Sequence, residues 1–219
     1  MRRHMFRWSP ARIIAGAFGS ISFIGSILLY LPWGHMPGQS ITYVDALYTA
    51  VSALCVTGLS IVDTAAVFNP FGQAILAVLI QVGGLGVSTM GAGVLLMLGR
   101  KVGIRQRNLI HDTMNLDSYS GVVRFLRTLF ATTVFIEVIG AFLGYFVFRR
   151  DYEMMESIGL SIFHSISSFN NAGLTILTKE RSMEMYAEDP FMLILTTALV
   201  FVGGLGFIVI RECLSLIHI

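Results

Sequence analysis

Charge is scarce in this sequence. Only 13% of its 219 residues are Asp, Glu, Lys or Arg, whereas 55% are hydrophobic, and a soluble domain carries about 25% charged residues. That balance excludes an ordinary soluble domain and puts the chain in a membrane. Cysteine is nearly absent too: Cys55 and Cys213 have neither metal-ligand spacing nor an evident pairing, so they say nothing about redox compartment. No Ser/His/Asp constellation, zinc spacing or phosphate-binding loop occurs, which leaves enzyme chemistry without support. Lys and Arg are missing altogether between Leu31 and Phe71. The net charge is +2, and the positive residues gather on one side of the expected membrane, so anionic lipid is the implied partner rather than nucleic acid.

Long apolar runs, by contrast, are plentiful. Ile13 to Leu31, Phe71 to Leu98, Thr128 to Phe148 and Phe191 to Ile210 each approach the roughly 20 residues needed to cross hydrocarbon about 30 Å thick. Tyr43 to Leu54 and Met154 to Phe169 are too short to cross, and are expected to enter and return on the same side. The first run has a basic start like a signal peptide, but it ends in Leu31-Pro32-Trp33 without a small-residue cleavage pattern, as a retained span with an interfacial Trp would. Arg2, Arg3, Arg7 and Arg12 precede it, and Arg100, Lys101, Arg105, Arg107, Arg124 and Arg127 fill the polar connector. The positive-inside tendency therefore predicts a cytoplasmic N-terminus and connector, with both short helices dipping from outside.

The expected fold class is an all-α membrane protein built as an internal repeat. Span, short helix and span occupy 13–98; a cytoplasmic connector occupies 99–127; the same unit returns over 128–211. Superposing Gly58 on Gly173 aligns Ser52 with Ser167, Tyr48 with Phe163 and Leu59 with Leu174. Val82-Gly83-Gly84-Leu85-Gly86 then follows the first glycine by 25 residues, and Val202-Gly203-Gly204-Leu205-Gly206 follows the second by 30. Thr42 with Asp45 predicts a capping box at the start of the first short helix.

A helix dipping from outside aims the negative end of its dipole, with its unpaired carbonyls, at the membrane centre. The residues after it, Val56-Thr57-Gly58, are expected to run back out in extended form. Backbone at that depth is tolerated only along a protein-walled, watery path, where its carbonyl oxygens can replace the hydration shell of a cation.

Cys55-Val56-Thr57-Gly58-Leu59 and Phe169-Asn170-Asn171-Ala172-Gly173, each between two spans, resemble the first and second selectivity-filter segments of the Ktr/Trk/HKT superfamily of potassium transporters. Asp45-Ala46-Leu47-Tyr48-Thr49-Ala50, Gln81 to Gly86 and Phe163 to Ser167 are similar to the bacterial Ktr membrane subunit. The resemblance covers about Ser9 to Glu212. It implies that the backbone carbonyls of Val56, Thr57, Gly58, Asn171, Ala172 and Gly173 meet potassium as substrate, with no organic cofactor, and that Gly58 bears on choice of ion. It further implies a multi-pass protein of the bacterial cell membrane, a homodimer in the intact protein, and a cytoplasmic nucleotide-binding regulatory ring docking near the connector. Family members carry four such units around one pore, and two are present here. Half of a four-unit pore is therefore expected, with a non-conducting fragment and a self-assembling two-unit cation channel as alternatives. The ending, residues 214–219, resembles a translated sequencing adaptor.

Other residues carry weaker signals. Asp63 is expected on the outer side, either concentrating cations or as a plain loop acid. The glycines of the Phe71 to Leu98 run indicate close packing against the filter or a bend. Glu137 is the sole acid within a span, and is expected to pair with a hydroxyl or a basic group. His164, aligned with Thr49, is expected to be a hydrogen-bonded packing residue rather than a ligand.

Overall fold

Helix α1, Pro10–Tyr30, is apolar throughout and exposes Phe23 and Ile24 on its outer face. The computed structural model describes residues 10–87, 89–92, 122–177, 183–206 and 209; Arg2, Arg3 and Arg7, most of the connector (99–121), Lys179 to Arg181 and the tail 210–219 lie outside the described residues. After α1 comes a single turn at Pro32–Gly34, on which Trp33 is exposed, and then a loop to α2. The second helix, α2, runs from Tyr43 to Leu54, the limits read from the sequence. The capping box forms: Thr42 Oγ1 accepts from the Asp45 amide at 3.2 Å, and the Asp45 carboxylate accepts from the Thr42 amide at 3.2 Å.

Asp63 then caps a short helix, α3 (Thr64–Val67), accepting from the amides of Ala65 and Ala66. Capping was neither of the two roles expected of Asp63 from the sequence. Helix α4, Pro70–Gly84, is capped by Asn69 and started by Pro70. The expected single run to Leu98 is interrupted, because Gly86 takes a left-handed φ of 82° before helix resumes at Val87 and continues at 89–92. Residues 93–98 lie outside the described residues.

After the connector, a long helix, a short one and an apolar one follow in a similar order. Helix α5, Val122–Phe148, begins six residues before the expected Thr128, with Arg124 and Arg127 in its first turns. Helix α6, Met154–Phe169, keeps the limits read from the sequence. Helix α7, Pro190–Gly204, is shorter than the expected run to Ile210 and ends, like α4, just before a left-handed glycine, Gly206 with φ 80°. All regular elements among the described residues are helical; α1 and α5 are long and apolar enough to cross a membrane, and α4 and α7 are shorter apolar helices.

Packing buries one face of each short helix, while Val44 of α2 and Met155 of α6 stay exposed. Ala46, Ala50 and Ala53 of α2 are fully buried, and one hydrophobic cluster runs from Leu29 and Phe68 in the first unit to Phe148, Phe163 and Leu199 in the second. Small residues on α2 let its neighbours approach closely. The outward faces are apolar instead of charged: Phe135 of α5 and Ile194 of α7 are 66% and 70% exposed. Such a surface has no stable partner in water and a good one in lipid.

Candidate functional site

Two loops, one after each buried short helix, have the same backbone. At the end of α2 the Thr57 amide donates to the Ser52 carbonyl at 3.0 Å, and at the end of α6 the Ala172 amide donates to the Ser167 carbonyl at 2.8 Å. Ser52 Oγ donates to the Leu59 carbonyl at 2.5 Å, and Ser167 Oγ to the Leu174 carbonyl at 2.6 Å. The two serines were visible in the sequence as an aligned pair, but their task was not: each closes its loop by gripping the chain as it leaves.

The loops depart from the extended form expected from the sequence. Val56 (φ 56°) and Asn171 (φ 59°) are left-handed, and so are Gly58 (φ 74°) and Gly173 (φ 68°). A β-branched residue in this region is a genuine outlier that costs on the order of 1–3 kcal/mol. Left-handed residues at alternate positions turn the peptide groups between them away from the alternation of a plain strand.

Within the loops, hydrogen bonding is uneven. The carbonyls of Leu59, Leu174 and Thr175 accept side-chain hydroxyls. Among the described residues, those of Val56, Thr57, Gly58, Asn171, Ala172 and Gly173 accept no hydrogen bond. All six residues named from the sequence therefore sit in this pair of loops, and the loops meet. A Cβ added to Gly58 would lie 2.5 Å from the Ala172 carbonyl oxygen and 3.6 Å from the Gly173 Cα.

Behind each loop the glycine-rich helix end closes in. A Cβ on Gly83 would collide with the Leu54 carbonyl oxygen, the last of α2, and one on Gly203 would collide with that of Phe169, the last of α6. The expectation of packing and the expectation of a bend are both met here, one at Gly83 and the other at Gly86.

Around the second loop lie polar residues that the sequence did not connect. Asn170, the cap of α6, donates through Nδ2 to Gln81 Oε1 of α4 at 3.0 Å, to Glu137 Oε1 of α5 at 3.2 Å and to the Ile166 carbonyl at 2.9 Å. Glu137 is thus held by side-chain amides, since Gln81 also hydrogen-bonds it; the expected hydroxyl or basic partner is not what holds its carboxyl. His164 Nε2 lies 3.0 Å from Thr196 Oγ1, and its ring meets Phe148 edge-on, a packing role as expected.

The family model described as a cation transport protein, TrkH, matches residues 10–219. The Ktr system potassium uptake protein B of Bacillus subtilis is 35% identical over 209 residues, 95% of this chain and 46% of that protein. The potassium/sodium uptake protein NtpJ of Enterococcus hirae is 36% identical over 209 residues, with the same coverage of 95% and 46%. The Ktr system potassium uptake protein B of Vibrio alginolyticus is 36% identical over 214 residues, 96% of this chain and 46% of that protein. The chain thus spans about half the length of these relatives. With a matched model running through both loops and nearly to each end, this chain belongs to the TrkH family of cation transport proteins.

Proposed function

We infer that this chain supplies two of the sides of a potassium filter, in which the backbone carbonyls of Val56, Thr57, Gly58, Asn171, Ala172 and Gly173 stand in for water around the ion. The observation that carries the reading is that two equivalent, strained loops meet with these carbonyls unbonded among the described residues, at the C-terminal ends of two short, half-buried helices. Those ends are the negative poles of their helices, so they favour a cation over an anion. A ring of carbonyls needs sides on all quarters, and in this reading the remaining ones come from two further units, as the resemblance to the Ktr/Trk/HKT superfamily implies. Potassium then moves passively, driven by voltage and concentration and gated from the cytoplasmic side. In this reading the protein is multi-pass with its N-terminus in the cytoplasm, forms a homodimer, and meets a nucleotide-binding regulatory ring near the connector.

Potassium uptake by a transport-deficient bacterium tests this. The full reading frame containing this chain is expected to restore growth on low potassium, and the 219 residues alone are not. Gly58→Ser in the full frame is expected to lower discrimination against sodium by about tenfold, since its left-handed φ and the Ala172 carbonyl 2.5 Å from its would-be Cβ leave no room for a side chain without re-aiming a carbonyl. Unchanged selectivity in flux measurements would remove Gly58 from the path.

A further inference from the structure

The two loops share a backbone but are not held in the same way. In the first, Thr57 Oγ1 lies 2.9 Å from Ser52 Oγ, so the loop ties itself to its own helix. In the second, the residue equivalent to Thr57 is Ala172, which has no hydroxyl, and among the described residues Ser167 Oγ grips the Leu174 carbonyl alone. What the second loop lacks inside, it finds outside. Asn170, where the first loop has Cys55, reaches Glu137 and Gln81, and Thr64 of the first unit donates through its hydroxyl to the Thr175 carbonyl at the loop's far end. Gly84 of α4 makes room for this, since a Cβ there would collide with Asn170 Oδ1.

We propose that Glu137 is a positioning residue of the second loop: through Asn170, and together with Gln81, it fixes the turn that presents Asn171, Ala172 and Gly173, replacing the Ser–Thr tie that Ala172 cannot make. This accounts for an acid inside an apolar span, where such a group is expensive and needs a partner. It also accounts for why Gln81 of α4 and Glu137 of α5 converge their side chains on the Asn170 amide nitrogen, which the backbone carbonyl of Ile166 in α6 also meets. A hydrogen bond to a carboxyl helps hold a loop whose left-handed Asn171 would otherwise relax. The role rests on the potassium reading only for its effect on ion choice. The anchoring itself does not depend on what the loop binds.

The full reading frame, purified in detergent, is compared as wild type, Glu137→Ala, Glu137→Gln and Gln81→Ala. Amide hydrogen exchange is read at Ala172 and, as the internal reference, at Thr57; potassium-to-sodium flux ratios are read in vesicles at matched protein amounts. Glu137→Ala is expected to speed exchange at Ala172 by about tenfold and leave Thr57 unchanged, with a fall of similar size in the flux ratio. Glu137→Gln keeps an acceptor oxygen at the same place and is expected to stay within about twofold of wild type in both. Gln81→Ala, the milder lesion should Glu137→Ala fail to fold, is expected to speed Ala172 exchange by about threefold. Equal exchange at the two amides in these variants, or Glu137→Gln as damaging as Glu137→Ala, would overturn the anchoring. Absence of potassium flux in the wild type would instead overturn the transport reading, and the exchange comparison would still decide the anchor.

Discussion

Gly83 and Gly203 show what a single missing methyl does in this protein. Each sits where the last carbonyl of a buried helix, Leu54 or Phe169, presses against the neighbouring helix, and a Cβ at either position would collide with that oxygen. Backbone atoms cannot step aside as a flexible side chain can, so Gly203→Ala has to push α7 away from α6. Overpacking of this kind costs about 1–3 kcal/mol. Gly19 of α1 is the control, because a Cβ there meets nothing within 4 Å, and alanine gains up to about 1 kcal/mol of helix propensity. Thermal unfolding in detergent is expected to drop for Gly203→Ala and to hold or rise for Gly19→Ala. Similar melting of the two variants would mean that the close approach at Phe169 is not a constraint. The repeated Val-Gly-Gly-Leu-Gly text made a packing role legible; the carbonyl it packs against was not, since nothing in a glycine names its neighbour.

At the scale of elements, Asp189 ties the start of α7 to the end of α5. Its carboxylate caps α7, accepting from the amides of Phe191 at 2.9 Å and Met192 at 3.0 Å, and it pairs with Arg150 just beyond α5. The Met192 amide is the main reason its pKa lies below the ordinary aspartate value, with the Arg150 guanidinium and the Phe191 amide acting the same way against a smaller opposing effect of desolvation. A depressed carboxylate stabilises the fold above its unfolded pKa, about pH 4, and the contribution is lost as pH falls through the folded value. Melting temperature is therefore expected to fall from about pH 4 downward, and Asp189→Asn, which can still cap, is expected to flatten that slope while lowering the neutral-pH plateau only slightly. An unchanged acid slope would place the titrating group elsewhere. Helix limits of this sort were legible wherever a local signal marked them. The capping box at Thr42 set the start of α2, and the interval from Met154 to Phe169 matched α6 to the residue. Hydropathy alone did less well. It ran on through Gly86, where a left-handed turn ends α4, and it stopped short at Arg127, although α5 extends past both arginines. The left-handed Val56 was hidden as well, since β-branched residues oppose that conformation and only the surrounding packing imposes it.

The largest effect belongs to the whole molecule, because both buried helices end at one place. Each helix C-terminus carries roughly half a negative charge, and the α2 and α6 ends flank loops that touch, so their fields add where one helix alone would be weak. Cys55, the cap of α2, is exposed at that spot and offers a built-in probe. In a Cys213→Ser background, a small cationic thiol reagent is expected to modify Cys55 faster than an anionic reagent of equal size, by a factor on the order of ten at low salt. The preference should shrink as salt rises, since the field of the helix ends is screened in any water that reaches them. Adding potassium should slow the cationic reagent selectively, because ion and reagent compete for one negative region. Equal rates for the two reagents at low salt would mean that the helix ends do not cooperate, and the carbonyls of the two loops would then lack the electrostatic setting that a cation path requires.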